Sequence, residues 1–161
     1  MKKSSILFLQ VVIVALIIGV LVALLWEPHL EGRNVNATLF EIYFKDPFLA
    51  YVYLGSIPFF VGLYQAFKVL GYIGQNKTFS QETVKALRII KYCALITAGA
   101  IVAADAFLMI AARSTGEDAA GAVALGIVAT FTSIIIATAA AVFEKTLQSA
   151  VDIKSENDLT V

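Results

Sequence analysis

Four stretches of this sequence are each long and apolar enough to cross a lipid bilayer: residues 6–26, 48–67, 92–112 and 122–143. Each has about 20 residues, which at about 1.5 Å of helical rise per residue matches a hydrocarbon core about 30 Å thick. Charged residues make up only 15% of the chain, against about 25% in soluble domains. A soluble domain could bury one such stretch but not four, so the sequence predicts a small integral membrane protein.

The polar residues that flank these stretches predict where the helices begin and end. Asp46 and Pro47 are typical of a helix start, and Ser80 is expected to cap the next helix. The prediction is an all-α bundle of four transmembrane helices in one domain, residues 1–161, with spans at about 6–26, 48–73, 84–112 and 121–145. A flexible C-terminal tail is predicted from about residue 150 to residue 161.

Basic residues are sorted to one side of this predicted bundle. Nine of the twelve Lys and Arg residues lie in the N-terminal segment, in the second connection with its flanks, and after the fourth apolar stretch; Arg33, Lys45 and Arg113 are the exceptions. Because Lys and Arg are enriched on the cytoplasmic side of membrane proteins, both termini are predicted to be inside. The expected location is the bacterial cytoplasmic (inner) membrane, which the chain crosses several times.

The third helix is predicted to begin with a cytoplasmic amphipathic extension. Its bases and those of the preceding turn are Lys77, Lys85, Arg88 and Lys91. These bases are predicted to contact either anionic lipid phosphates or a protein partner, and direct nucleic-acid binding is not expected since lipid explains bases beside a membrane. The polar tail, which carries Glu156 and Asp158, has no packing duty and is a second candidate partner surface.

Asp105 is the one acid inside the four apolar stretches. An acid in this position costs about 2.5–3.5 kcal/mol on insertion scales, so it should face the bundle interior and meet a partner. Counting the same depth along the other spans reaches Ser56 and Thr130, whose hydroxyls could hydrogen-bond the carboxyl. Two interpretations stay open: a structural, hydrogen-bonded acid, or a proton- or cation-linked site.

Small residues spaced by four, such as Ala94/Ala98 and Ala122/Gly126, mark faces for close helix contact in lipid. The short connection between the third and fourth helices predicts an antiparallel hairpin with the tightest interface of the bundle. Association into a homo-oligomer is also left open.

The inventory of reactive residues argues against an enzyme. Cys93 has no second cysteine for a disulfide pair, and the chain contains neither a His-Glu-x-x-His nor a Gly-x-Ser-x-Gly motif. The single histidine, His29, is predicted to be a solvated loop residue. No catalytic, metal or cofactor site is therefore predicted.

Two segments carry a resemblance to a known family. They are Phe-Ser-Gln-Glu-Thr-Val-Lys-Ala-Leu-Arg-Ile-Ile-Lys-Tyr at residues 79–92 and Glu-Asn-Asp-Leu-Thr-Val at residues 156–161. The chain resembles the bacterial membrane-protein family catalogued as domain of unknown function 2975, also in its length and four-span layout. The resemblance implies a protein without assigned chemistry, and a partner in a helix-turn-helix transcription regulator encoded beside it.

Two functional hypotheses follow. The first is a non-enzymatic regulatory or interaction protein of the inner membrane, which works through residues 75–91 and the acidic tail. The alternative is a small transporter or channel subunit that uses Asp105 as a proton- or cation-linked site.

Overall fold

The computed structural model describes residues 3–26, 38, 40–41, 46–116 and 118–158. These residues form four long helices, α1 (Lys3–Trp26), α2 (Pro47–Gly74), α3 (Gln81–Thr115) and α4 (Ala120–Asp158). Each helix is long and apolar enough to cross a membrane. The predicted all-helical architecture of four candidate spans is confirmed, whereas the orientation of the termini stays a prediction. His29 lies outside the described residues.

The predicted helix starts are also confirmed. The Asp46 carboxylate accepts hydrogen bonds from the backbone N–H groups of Phe48 and Leu49, at 3.0 and 3.2 Å, and Pro47 occupies the first turn of α2. Ser80 caps α3 by accepting from the N–H of Thr83. Both caps satisfy backbone donors that a helix start would otherwise leave unpaired.

The helices pack in chain order: α1 on α2, α2 on α3, and α3 on α4. The α3–α4 interface is the most extensive, as the short connection predicted. It is built on small side chains, with Ala98, Ala137 and Ala140 all buried. Small residues let helix backbones approach closely. In lipid the hydrophobic effect does not drive helices together, so their association depends on this close packing.

Helices α2 and α3 run antiparallel in a register that three contacts define. The Phe48 ring stacks on Phe107 with 5.3 Å between centroids. A Cβ at Gly55 would lie 3.4 Å from the Cβ of Ala100, so the two helices are in close contact at this point. The Tyr51 hydroxyl also donates to the carbonyl oxygen of Ala100 at 2.8 Å.

Helix α1 packs along α2 through an interface that is smaller than those between α2 and α3 and between α3 and α4. Ile6 is its one buried residue and lies beside Gly74, where a Cβ would come within 3.6 Å of the isoleucine side chain. Near the other end, the Tyr53 hydroxyl donates to the carbonyl oxygen of Leu24 at 3.1 Å. Most of the remaining apolar side chains of α1 are exposed on the protein surface, as expected of a helix that contacts lipid.

The α3–α4 hairpin is longer than a bilayer is thick. With 35 and 39 residues, these helices extend about 52 and 58 Å, against a hydrocarbon core of about 30 Å. The predicted amphipathic segment is indeed continuous with α3, which begins at Gln81. That this segment lies in the cytoplasm stays a prediction.

The C-terminal segment differs from the predicted tail, because α4 continues as helix through Asp158. No Gly or Pro follows Gly126, so the backbone meets no residue that would stop the helix. The side chains also favour it: the Gln148 amide donates to the Asp152 carboxylate at 2.7 Å, one helical turn away. The polar composition of residues 150–161 suggested a flexible tail, but polar residues alone do not end a helix.

Candidate functional site

The best-defined polar cluster in the described residues joins α3 to α4 through Glu144. One carboxylate oxygen of Glu144 accepts from Arg88 Nε at 2.6 Å, and the other accepts from Lys91 Nζ at 2.7 Å. Arg88 and Lys91 are three residues apart, so they lie on one face of α3. Glu144 is buried, with 7% of its surface exposed.

The geometry of this cluster explains how a carboxylate can be buried there. A buried charge is costly unless opposite charges and hydrogen bonds compensate it, and here both carboxylate oxygens are engaged. The two bases differ in exposure: the Arg88 side chain is 52% exposed, whereas that of Lys91 is 22% exposed. Lys91 also lies over the Tyr92 ring, with its Nζ 4.7 Å from the centroid. The cluster therefore fixes α3 against α4 and leaves a partly accessible guanidinium.

Glu144 was not among the sequence-predicted site residues. It lies directly after the fourth apolar stretch, within the predicted span 121–145, and no role was assigned to it from the sequence. A signal was nevertheless present: two bases three residues apart precede the third apolar stretch, and an acid directly follows the fourth. In an antiparallel hairpin those positions meet at the same end.

The predicted partner or lipid surface is thus divided. Arg88 and Lys91 are paired with Glu144, while Lys77 and Lys85 are exposed. Glu156 is exposed near the end of α4, and the side chain of Asp158 lies outside the described part.

Asp105 lies where α3 crosses α4 at the opposite end of the hairpin. It is half-buried, and its carboxyl group covers Gly126 so closely that a Cβ added there would overlap it. The close approach depends on the glycine, because any larger residue would occupy the same space. Asp105 thus lies against α4, and its role as an intramembrane polar site stays a prediction.

The structure does not bring Ser56 or Thr130 to Asp105. The Ser56 hydroxyl donates to the carbonyl oxygen of Tyr53 at 2.7 Å, within its own helix. Thr130 Oγ1 is buried without a hydrogen-bond partner in the described part of the chain.

Helix register explains the separation. Since Phe48 faces Phe107 in antiparallel helices, a shift of two residues on each helix places Asp105 near residue 50, about 9 Å along α2 from Ser56. Thr130 lies one turn beyond Gly126, or about 6 Å along α4. The sequence-based match of Asp105 with Ser56 and Thr130 assumed that the apolar stretches begin at the same depth in the membrane. In the bundle the helices are shifted along one another, so residues at equal counts do not lie at the same level.

The described residues contain no group of three or more His, Cys, Asp and Glu side chains arranged to hold a metal ion. The arrangement instead offers a salt-bridged cluster at one end of the hairpin and a carboxyl group packed between helices at the other.

Comparison with known proteins places the chain in a family. Residues 34–161 match the family described as protein of unknown function (DUF2975). The chain belongs to this family. It is also 41% identical, over 163 aligned positions that cover 100% of both chains, to the Uncharacterized membrane protein YoaS of Bacillus subtilis (strain 168). The resemblance inferred from residues 79–92 and 156–161 is thereby confirmed.

No solved structure matches this DUF2975 member. The names of the family and of this relative state neither an activity nor a partner. The chain is therefore established as a membrane protein of this family, and its function is open to proposal.

Proposed function

We propose that this protein is a non-enzymatic regulatory or interaction protein of the bacterial cytoplasmic membrane. Its working surface would be the end of the α3–α4 hairpin that contains the start of α3 and the end of α4. The observation that carries the proposal is the Glu144 cluster, since it locks two helices together at the end where both extend past the apolar stretches. A fixed, protruding helix pair suits the docking of a soluble protein.

The distribution of bases supports a cytoplasmic position for this end. Lys77, Lys85, Arg88 and Lys91 are all here, as are Lys145 and Lys154. Enrichment of Lys and Arg at one side of the membrane favours the cytoplasm. A cytoplasmic partner would then reach the hairpin end, whereas an outer one would not.

The end of α4 has the chemistry of a docking surface. Ile153 is 61% exposed although it lies ten residues past Phe143, about 15 Å beyond the apolar stretch at helical rise. Exposed Asp152 and Glu156 flank it. In this proposal Ile153 supplies an apolar contact for a soluble protein, because it lies beyond the reach of lipid tails. The family resemblance suggests a helix-turn-helix regulator as that protein.

A photo-crosslinking amino acid at Ile153 tests this proposal in living cells. The expected product is a covalent adduct with a soluble helix-turn-helix protein, identified by mass spectrometry. Ile127 is the matched control, because it is 49% exposed on the same helix but within the apolar stretch. The same adducts from both positions, or lipid adducts alone at Ile153, would contradict the proposal.

Replacement of residues 155–161 by a Gly-Ser sequence of equal length gives a second test. These residues lie at or beyond the end of α4, so thermal unfolding should change little. Binding of the purified regulator to protein in nanodiscs should be lost. Equal binding by both forms would remove the tail from the proposed surface.

The second candidate function is a small transporter or channel subunit. It is favoured by one observation: no hydrogen bond or ion pair to Asp105 occurs in the described part of the chain, although the residue is half-buried within an apolar helix. Such an acid is suited to take up a proton or cation. Asp105→Asn should then abolish pH-driven flux in proteoliposomes while stability is retained. Flux that survives the substitution unchanged would exclude this role.

A further inference from the structure

Lys68 is a base without a carboxylate partner near the end of α2. It is half-buried, and its Nζ atom lies over two rings of the same helix, 5.7 Å from the centroid of Tyr64 and 6.0 Å from that of Tyr72. Every ion pair within the described residues involves Glu144. In this part of the chain Lys68 therefore has aromatic contacts but no counter-charge.

The two rings compensate the charge of Lys68 only in part. An aromatic face attracts an ammonium group within about 6 Å of its centroid, but it carries no net charge. A half-buried ammonium has lost part of its hydration, so an anion with oxygen acceptors stabilises it further. Because the rings lie one helical turn before and after Lys68, they hold its ammonium between them as an oriented donor.

A second base, Lys85 of α3, lies level with Lys68. The antiparallel helices α2 and α3 are in register at Gly62 and Cys93, where a Cβ on the glycine would lie 3.5 Å from the cysteine Cβ. Lys68 is six residues past Gly62, and so faces the residue six before Cys93, which is two residues from Lys85. Two residues correspond to about 3 Å of helical rise. The two helices thus bring one base each to the same depth.

Lys68 and Lys85 also lie on the same side of the α2–α3 pair. The other side is marked by an apolar cleft between α2 and α4, which Ala66 of α2 and Ile90 of α3 help to line. At about 100° of rotation per residue, Lys68 is turned about 160° from Ala66, and Lys85 about 140° from Ile90. Both bases therefore face away from the cleft, on the opposite surface of the pair.

Exposed rings adjoin the bases on this opposite surface. Tyr64 precedes Lys68 by one turn and Tyr92 follows Lys85 by two, so each tyrosine shares the face of its base. The two tyrosines are 57% and 54% exposed. Because Lys68 directly follows the second apolar stretch, the bases lie at the level of lipid headgroups and the rings lie toward the acyl chains, as is typical of tyrosines at a membrane interface.

The charge of this end of the bundle is complementary to an anionic lipid. Residues 64–92 contain five bases and one acid, Glu82. Glu144 of α4 adds a second acid through its ion pairs with α3. Five bases against two acids leave an excess of three positive charges, and basic segments beside a membrane attract anionic headgroups.

We propose that this surface binds one anionic phospholipid, with the ammonium groups of Lys68 and Lys85 at its phosphate and the rings of Tyr64 and Tyr92 against the start of its acyl chains. A lipid fits the surface better than a soluble anion does, because the exposed rings offer contact to hydrocarbon. The inference goes beyond the docking function proposed above and does not rest on it, since the lipid is bound on the face of α2 and α3 and not at the end of α4.

Native mass spectrometry of the delipidated full-length protein tests the proposal, with phosphatidylglycerol and phosphatidylcholine of identical acyl chains as the added lipids. The first phosphatidylglycerol should bind at least about fivefold more tightly, since one Lys beside an anionic headgroup contributes about 1 kcal/mol. No other protein is present, so the result is independent of any docking partner. Equal affinities for the two lipids would refute the proposal.

Lys68→Gln and Lys77→Gln are matched variants. Each removes one positive charge from the same end of the bundle, but Lys77 lies in the connection between α2 and α3 and is exposed. Lys68→Gln should weaken the binding of the first phosphatidylglycerol about fivefold, Lys68→Arg should retain it, and Lys77→Gln should leave it nearly unchanged. Equal losses in Lys68→Gln and Lys77→Gln would mean that diffuse charge alone attracts the lipid, and would overturn the site.

A phosphatidylglycerol with a diazirine near the start of one acyl chain locates the lipid in nanodiscs. Photolysis should label residues 64–72 and 85–92 of the parent protein, and Lys68→Gln should reduce this labelling. Thermal unfolding of the two proteins should differ little, because Lys68 forms no ion pair in the described part of the chain. Labelling that is spread evenly over the lipid-facing helices and unaffected by the substitution would show contact with bulk lipid only, and would refute the site.

Discussion

The two ends of the bundle are packed very differently. The buried residues of the described part lie between the middle of the bundle and the end where α3 begins, which we call the closed end; they are Ile6, Thr83, Val84, Ala86, Leu87, Cys93, Ala98, Ala137, Ala140 and Glu144. At the opposite or open end, where Asp105 covers Gly126, no described residue is fully buried.

This difference shows what hydropathy does and does not determine. An apolar window of sufficient length, which each of the four helices has, suffices for insertion into a bilayer. Association of the inserted helices depends instead on close packing and polar contacts. The closed end has both, in its buried alanines and the Glu144 cluster, while the open end has the Phe48–Phe107 stack and the carboxyl group of Asp105 over Gly126.

The largest expected effect is an all-or-none difference in accessibility between the two ends. In a Cys93→Ala background, Ser114→Cys marks the open end and Ser155→Cys marks the closed end; both serines are exposed. A membrane-impermeant thiol reagent should label only the open-end cysteine in intact cells, because the excess of bases predicts that the closed end is cytoplasmic. Permeabilised cells, in which both should react, serve as the control. The reverse pattern would move the proposed docking surface outside.

Glu144→Ala should cause the largest loss of stability. The substitution leaves Arg88 and Lys91 without their carboxylate at the closed end, and removal of one partner from a buried pair costs about 3–5 kcal/mol. Because the Arg88 side chain is 52% exposed, water compensates part of this cost, and we expect about 2 kcal/mol. Reversible unfolding in mixed micelles measures it.

Asp152→Asn provides the matched control for Glu144→Ala. Asp152 is an exposed acid of the same helix, and its hydrogen bond with Gln148 is a surface interaction. Its substitution should change stability by less than about 0.5 kcal/mol. Equal effects of the two substitutions would mean that the Glu144 cluster does not stabilise the closed end.

The sequence was sufficient to predict the features that depend on local interactions. The four helices follow from apolar length, and the starts of α2 and α3 follow from Asp46, Pro47 and Ser80. The extent of α4 was underestimated, because residues 150–158 are polar enough to resemble a tail although nothing in them ends a helix.

The polar sites depend on helix register, which no single helix encodes. The pairing of Glu144 with Arg88 and Lys91, and the position of Asp105 over Gly126 instead of beside Ser56, are set by how far each helix is shifted along its neighbour. That shift results from the fit of small and large side chains between helices. Residue types therefore identified Asp105, but not its surroundings.

Gly126→Ala should have a smaller effect than Glu144→Ala, and it tests whether the open end is held as loosely as its packing suggests. The new methyl group would overlap the Asp105 carboxyl, so the side chain must rotate or the helices must separate. Overpacking in a well-packed core costs about 1–3 kcal/mol. Since neighbouring residues at the open end are not fully buried, we expect a loss of about 1 kcal/mol.

Two further variants make the Gly126→Ala prediction specific. Gly121→Ala adds the same methyl group to α4 where no atom lies within 4 Å of it, so it should not lower stability and should slightly favour the helix. Adding Asp105→Ala to Gly126→Ala removes the overlapping carboxyl and should restore the lost stability, as a coupled pair requires. If the loss persists in the double variant, Gly126 is required for a backbone contact between α3 and α4 and not for the space that Asp105 occupies. The open end would then resemble the closed end more than its exposed side chains indicate.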